Sequence, residues 1–285
     1  MDTRNDALSP SDFNRLRTLI RAESGINLGP EKRTMLEIRL RRRLHGLNFS
    51  SYADYCAYLF APATRNQELV HLIDCVSTNK TDFFREADHF EYLISKALPD
   101  IAAKHHGSQQ GAGRKSLIWS AGCSTGEEPY TLAMVLNEYA QDRPGFRFRL
   151  LATDISTTVL EKARMGIFKT DVIRPIPANL RSKYLMRSRD PSSEQVRVVP
   201  ELRSKIEFRR LNFMDADLQL SESPDIIFCR NVIIYFDRPT QIRLLEKLTR
   251  HLAPGGYFFA GHSESLQNMD LPLVAVGPAV YRRCG

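Results

Sequence analysis

No apolar run in this chain approaches the roughly 18 residues needed to cross a bilayer, so no spanning helix is expected. The N-terminus, MDTRNDALSPSD, is polar and acidic and does not read as a signal peptide. Cysteine is sparse: Cys56, Cys75, Cys123, Cys229 and Cys284 are odd in number and widely scattered. Neither a zinc spacing nor a disulfide framework is visible, which fits a reducing, cytoplasmic setting. His105-His106 has no third ligand near it in sequence, so no metal site is expected. The dinucleotide spacing G-x-G-x-x-G and the phosphate-cradling G-x-x-x-x-G-K-[ST] are also missing. At 285 residues, 42% hydrophobic and 26% charged, the chain has room for one large or two small globular domains, and nothing suggests an obligate oligomer.

Acidic residues are outnumbered. Net charge is +7, so an acidic partner is expected: nucleic acid, an anionic membrane or an acidic protein surface. Residues 32–43, KRTMLEIRLRRR, carry six basic groups and one acidic group. Residues 1–75 show helical patterns and no convincing strand. Ser9-Pro10-Ser11-Asp12 starts a helix that Gly25 stops. Pro30-Glu31 starts a second, with Leu36, Leu40, Leu44 and Leu47 as its apolar stripe and Arg39 and Arg42 roughly opposite. SSYADYCAYLF and QELVHLIDCV complete a small bundle. Glu37 is the only acid within the basic stretch, so Arg39, Arg42 and Arg43 are expected to form a docking face.

Residues 76–115 link the bundle to the rest. VSTNKTDFFREADHF supplies turn and cap types at Asn79, Thr81 and Asp82, and HHGSQQGAGRK reads as a polar linker. From Ser116 strands and helices alternate: SLIWSA, then a small-residue loop Gly122 to Gly126, then a helix opened by Glu127-Glu128-Pro129. FRLLATD at 148–154, IEFRRLNF at 206–213, DIIFCRN at 225–231 and GYFFAGH at 256–262 follow as strands, and 273–282 as a terminal hairpin. Repeated βα units predict a twisted, mainly parallel sheet with helices on both faces. Residues 171–205 interrupt them with prolines and a VRVV run, predicting a small helix and a short antiparallel insertion. That region is basic, with ten Lys/Arg against four Asp/Glu between Arg174 and Arg210.

A glycine loop after the first strand, with Asp154 ending the second about 20–30 residues on, is the pattern of a nucleoside site whose acid binds ribose hydroxyls. Two carboxylates at the helix start, Glu127 and Glu128, would repel a pyrophosphate. They suit a cofactor with a cationic end and no phosphate, such as S-adenosylmethionine.

Five segments in order, NKTDFFRE at 79–86, SAGCSTGEEPYTLA at 120–133, ATDIS at 152–156, FCRNVIIYFD at 228–237 and AGHSESL at 260–266, resemble the chemotaxis receptor methyltransferases, the CheR family. The resemblance covers nearly the whole chain. It implies a Rossmann-like S-adenosylmethionine-dependent methyltransferase domain over 116–285 with a small inserted antiparallel β-subdomain, preceded by an all-α receptor-docking domain over 1–75. It implies methyl transfer to the γ-carboxylate of glutamates on chemoreceptor signalling helices, with S-adenosyl-L-homocysteine as product. Carried over by residue, Asn79, Thr81 and Arg85 line the cofactor site, Glu128 contacts the cofactor (Glu127 less surely) and Asp154 holds the ribose. Asn212 and Phe213 flank the adenine, Asn231 and Val232 lie near the methyl, and Arg85 and Tyr235 position the transfer. Some members grip a receptor C-terminal peptide through a glycine-rich hairpin turn. Here that turn, SRDPSSEQ at 188–195, has no glycine, so contact through the methylation helices alone is expected. Neutralising Arg39 and Arg42 should then raise KM for receptor and leave cofactor binding intact. Two alternatives stand beside this reading. A nucleic-acid methyltransferase fits the basic pI, but Arg230-Asn231-Val232-Ile233 replaces the Asn/Asp-Pro-Pro-Tyr/Phe motif of amino-methylating enzymes, and a Pro-Cys pair is missing. A non-catalytic signalling adaptor would not need Asn79, Arg85, Asp154, Asn231 and Tyr235 together.

Overall fold

The computed structural model describes residues 7–106, 114–190, 192–267 and 269–284. Four helices come first: α1 (Pro10–Ser24), α2 (Arg33–Gly46), α3 (Tyr52–Phe60) and α4 (Arg65–Val76). The start and stop of α1 follow from local chemistry. Ser9 Oγ accepts the Asp12 amide at 3.0 Å, Pro10 occupies the first turn, and Gly25 closes the helix at φ +77°. A Cβ on Gly25 would sit 2.8 Å from Met214 Sδ, so close packing adds to the need for glycine there. Pro30–Lys32 forms a 3₁₀ turn before α2 rather than its first α-helical turn. Leu36, Leu40 and Leu44 are buried; Leu47 falls past the helix end and is half-buried. These helices share their own core, with Leu16, Ile20, Leu36, Leu40 and Leu72 at its centre.

An irregular stretch follows. α5 (Ala87–Tyr92) then runs through a π turn (Leu93–Ala97) into α6 (Leu98–His106). His105 and His106, expected in a loop, end α6, and His105 Nε2 lies 3.1 Å from the Asp225 carboxylate. The centre of the expected linker, residues 107–113, lies outside the described residues.

The second part contains β1 (Ser116–Ala121), α7 (Glu127–Gln141), β2 (Phe148–Asp154), α8 (Thr157–Met165), β3 (Ile167–Lys169), α9 (Ala178–Tyr184), β4 (Leu185–Arg187) and β5 (Gln195–Val198). It continues with α10 (Pro200–Arg203), β6 (Ile206–Arg210), β7 (Ile226–Cys229), a 3₁₀ turn (Ile233–Tyr235), α11 (Arg238–His251), β8 (Tyr257–Ala260), β9 (Leu273–Gly277) and β10 (Val280–Arg283). Seven strands form one sheet in the order β6-β2-β1-β7-β8-β10-β9, the first five mutually parallel, with β10 antiparallel to both β8 and β9. β1 is fully buried and central, and the chain leaves it first towards β2 and later returns beside it as β7. That reversal opens a crevice at the carboxyl ends of β1 and β7, where ligands of such sheets bind.

The insertion is larger than its sequence indicates. It is a three-stranded antiparallel sheet, β3-β5-β4, beginning at Ile167 rather than 171. Gly166, at φ +60°, ends α8 at Met165, and three residues of β3 carry too little periodicity to register as a strand. The strands expected to reach 213 and 231 also stop short, at Arg210 and Cys229, leaving the candidate site residues beyond them in loops.

Candidate active site

A cavity of about 410 Å³ lies over the carboxyl ends of β1, β2, β6 and β7. The helical part forms one wall, through Ser24, Ile26, Asn27, Leu28, Lys32, Met35 and Arg39. Three contacts seat that wall on the sheet: Asn27 N donates to Tyr235 O at 2.9 Å, Asn212 Nδ2 to Glu23 O at 2.6 Å, and Ile26 bridges Phe236.

The loop after β1 forms the floor. Gly122 is at φ +90°, and a Cβ there would lie 2.5 Å from Val232 Cγ2, so the β1 and β7 loops touch through a position only glycine can occupy. The two carboxylates that follow do not act alike. Glu127 turns back to accept from Thr125 Oγ1 at 2.7 Å and does not line the cavity. Glu128 does line it, but accepts from Ser120 Oγ and from Arg230 Nε, each at 2.7 Å. The repulsion expected from two carboxylates therefore reduces to one, already paired with a cation.

Asp154 ends β2 almost wholly buried. Its oxygens accept the Ser124 and Ser156 amides at 2.9 and 3.0 Å. Burial pushes its carboxyl up, against those amide bonds. A carboxylate has about four acceptor positions, so capacity remains for a vicinal diol. Asn79, Thr81, Arg85, Glu128, Asp154, Asn212, Phe213, Asn231, Val232 and Tyr235 all line this one cavity. Their engagements differ. Asn79 O accepts from Ser124 Oγ at 2.9 Å, and Arg85 Nη1 donates to Lys80 O at 3.3 Å. Asn212 donates its side-chain amide to Glu23 O and accepts the Met214 amide on its side-chain oxygen.

Arg230 is the residue that sequence reasoning missed. Its side chain is 2% exposed, yet it reaches Glu128, the Arg85 carbonyl at 2.8 Å, His89 Nδ1 at 3.0 Å and Glu86 at 3.5 Å. An arginine directly after the apolar strand IIFC was the available signal, because a buried cation requires partners. Glu86, His89 and His262 bring ligand atoms within 4.8 Å of one another, but the Arg230 guanidinium already occupies the cationic position beside that cluster. Burial and the nearby guanidinium hold His89 below its usual range, consistent with an imidazole Nδ1 that accepts. Cys123 and Cys229 are pushed well above the ordinary thiol range by complete burial, which makes them poor nucleophiles.

The expected docking face is only partly a free face. Arg42 is exposed. Arg39 instead caps α4, donating to Val76 O at 2.5 Å, Ser77 O at 3.2 Å and Thr78 Oγ1 at 3.2 Å. Arg43, also expected on that face, makes a two-pronged pair with buried Glu68 at 2.9 and 2.6 Å, and Tyr55 Oη donates to the same carboxylate. Glu68 lies outside the local window, so its part as partner emerges only when α4 packs on α2.

The family model described as "CheR methyltransferase, all-alpha domain" matches residues 11–77, and that described as "CheR methyltransferase, SAM binding domain" matches residues 79–277. The chain is 40% identical over 281 residues to a chemotaxis protein methyltransferase of Borreliella burgdorferi, covering 98% of this chain and 96% of that one. It is 39% identical to chemotaxis protein methyltransferase 2 of Pseudomonas aeruginosa (95% and 92% covered) and 38% identical to the chemotaxis protein methyltransferase of Escherichia coli (96% and 91%). The chain therefore belongs to the CheR family of chemotaxis methyltransferases, with S-adenosylmethionine as its cofactor.

Proposed function

We propose that this chain esterifies the γ-carboxylates of glutamates on the signalling helices of chemoreceptors. The observation that carries the reading is one cavity lined both by nucleoside-type residues (Asp154, Asn79, Phe213) and by a cationic rim of Lys32, Arg39, Lys80 and Arg85. Such a rim suits an anionic substrate entering beside the cofactor. S-adenosylmethionine, when bound, supplies a methyl group made electrophilic by its sulfonium. Asp154 is suited to a ribose diol, Glu128 to an ammonium, and Asn212 and Phe213 to an aromatic base, with Asn231 and Val232 nearer the methyl.

A glutamate side chain in water titrates at about 4.3 and is already ionised at neutral pH, so no general base is required. What the residues must provide is alignment and exclusion of water. Arg85 orients the carboxylate through charge-assisted hydrogen bonds, and Tyr235 directs it from the opposite loop. Too tight a pair with Arg85 would blunt the nucleophile, which makes its task positioning rather than activation. The exposed Arg42 contributes to steering, and the glycine-free turn at 188–195 fits recognition through the methylation helices without a peptide tether.

The test is transfer of labelled methyl to a receptor signalling fragment, followed by mild base. Label released as methanol supports a carboxyl ester. Cofactor binding with an unlabelled fragment would sink the proposal in favour of an adaptor, and base-stable label on RNA would move the substrate class to nucleic acid.

A further inference from the structure

The segment AGHSESL contributes none of the described residues that line the cavity, yet one of its side chains binds the loop that carries Asn231 and Val232, which do. Glu264 is 4% exposed. Its Oε1 accepts the amides of Val232 and Ile233 at 2.8 and 2.9 Å, and its Oε2 those of Asn231 and Gly261 at 2.8 and 2.7 Å. Three of those donors are consecutive. They converge because Asn231 takes the left-handed conformation at φ +58°, which turns successive N–H groups to one side and makes an anion-binding concavity. The same amides open the 3₁₀ turn Ile233–Tyr235.

We propose that Glu264 is a positioning residue for methyl transfer: its buried carboxylate gathers the amides of the β7 loop and sets Asn231, Val232 and Tyr235 against the cofactor cavity. The loop has little slack, because Val232 already packs against Gly122 on the facing loop. A shift of the β7 loop therefore moves two walls of the cavity at once. Burial pushes the Glu264 carboxyl up while the four amides pull it back towards the charged form that the concavity prefers. The inference rests on the reading of this cavity as the transfer site.

The test uses the full chain and Glu264→Gln, which keeps volume but turns an NH₂ group towards two of the amide donors. The expected result is a variant that still unfolds cooperatively, with kcat on the receptor fragment lowered about ten- to a hundredfold by misalignment. KM for the fragment stays unchanged, because α2 is not touched. Hydrogen exchange on the wild-type chain should show protected amides at 231–233 and 261. In the variant those amides should exchange faster, while 226–229 in β7 keep their protection. A folded variant with wild-type kcat would overturn the proposal, as would unprotected amides at 231–233 in the wild-type chain. If Glu264→Gln does not fold, Glu264→Asp carries the kinetic test and wild-type exchange still decides the contact. A wild-type chain that transfers no methyl to receptor sinks the glutamate reading instead, and the exchange result remains readable.

Discussion

Arg39 and Arg42 lie on one face of α2 and divide two tasks between them. Arg42 projects from the surface, whereas Arg39 holds the backbone of residues 76–78, directly before Asn79 and Thr81. Arg42→Ala should raise KM for a receptor fragment about two- to fivefold, the range of a screened surface contact, and leave cofactor affinity intact. Arg39→Ala should also weaken cofactor binding, by about tenfold, because losing charged hydrogen bonds frees the segment that carries Asn79. Calorimetry with the cofactor alone separates the two, and wild-type cofactor affinity in Arg39→Ala would refute the division. This departs from the expectation drawn from sequence, which treated both arginines as surface charges. Only the fold shows that one of them ends on main-chain carbonyls.

Helix α2 is bolted to α4 by a pair whose two halves are unequally buried. Arg43 is about a quarter exposed and Glu68 almost wholly enclosed, with Tyr55 completing the carboxylate's bonds. Removing the arginine strands a buried charge. Arg43→Ala should therefore cost about 2–3 kcal/mol of stability, read from urea unfolding, while changing receptor KM little at temperatures where the variant is folded. A large KM effect without a stability loss would return Arg43 to the docking face. The same helices show how far local pattern reaches. Ser9, Pro10 and Gly25 mark the ends of α1 in the sequence because capping is a contact among near neighbours. Strand β3 is not legible, since three residues beside Gly166 become a strand only by pairing with Gln195–Arg197.

At the scale of the molecule, the excess of basic charge acts through solution rather than through any one contact. An acidic receptor surface should be drawn to the chain by a field that salt screens. KM for the receptor fragment should rise several-fold between about 0.05 and 0.3 M salt, as the Debye length contracts from roughly 14 to 6 Å. The cofactor's dissociation constant should change less, because the carboxylates suited to it, Asp154 and Glu128, are buried, and buried charges are screened less than exposed ones. A salt-independent KM would remove electrostatic steering from the account. Among the described residues no helix is long and apolar enough to cross a membrane.

The sequence by itself determined most of the elements, though not β3, and the chemistry they could carry. The glycine loop, the acid ending the second strand, the alternation of strands and helices and the amphipathic bundle are written in near-neighbour patterns, which is where propensity, capping and periodicity act. Tertiary structure alone decided which charges face the cavity and which serve the fold. Arg230 and Glu128 are 102 positions apart and Arg43 and Glu68 are 25 apart; Glu264 meets Asn231 across 33. Burial forces each of these charged groups to find partners, and which partners lie within reach depends on the packing of the sheet and helices rather than on spacing along the chain.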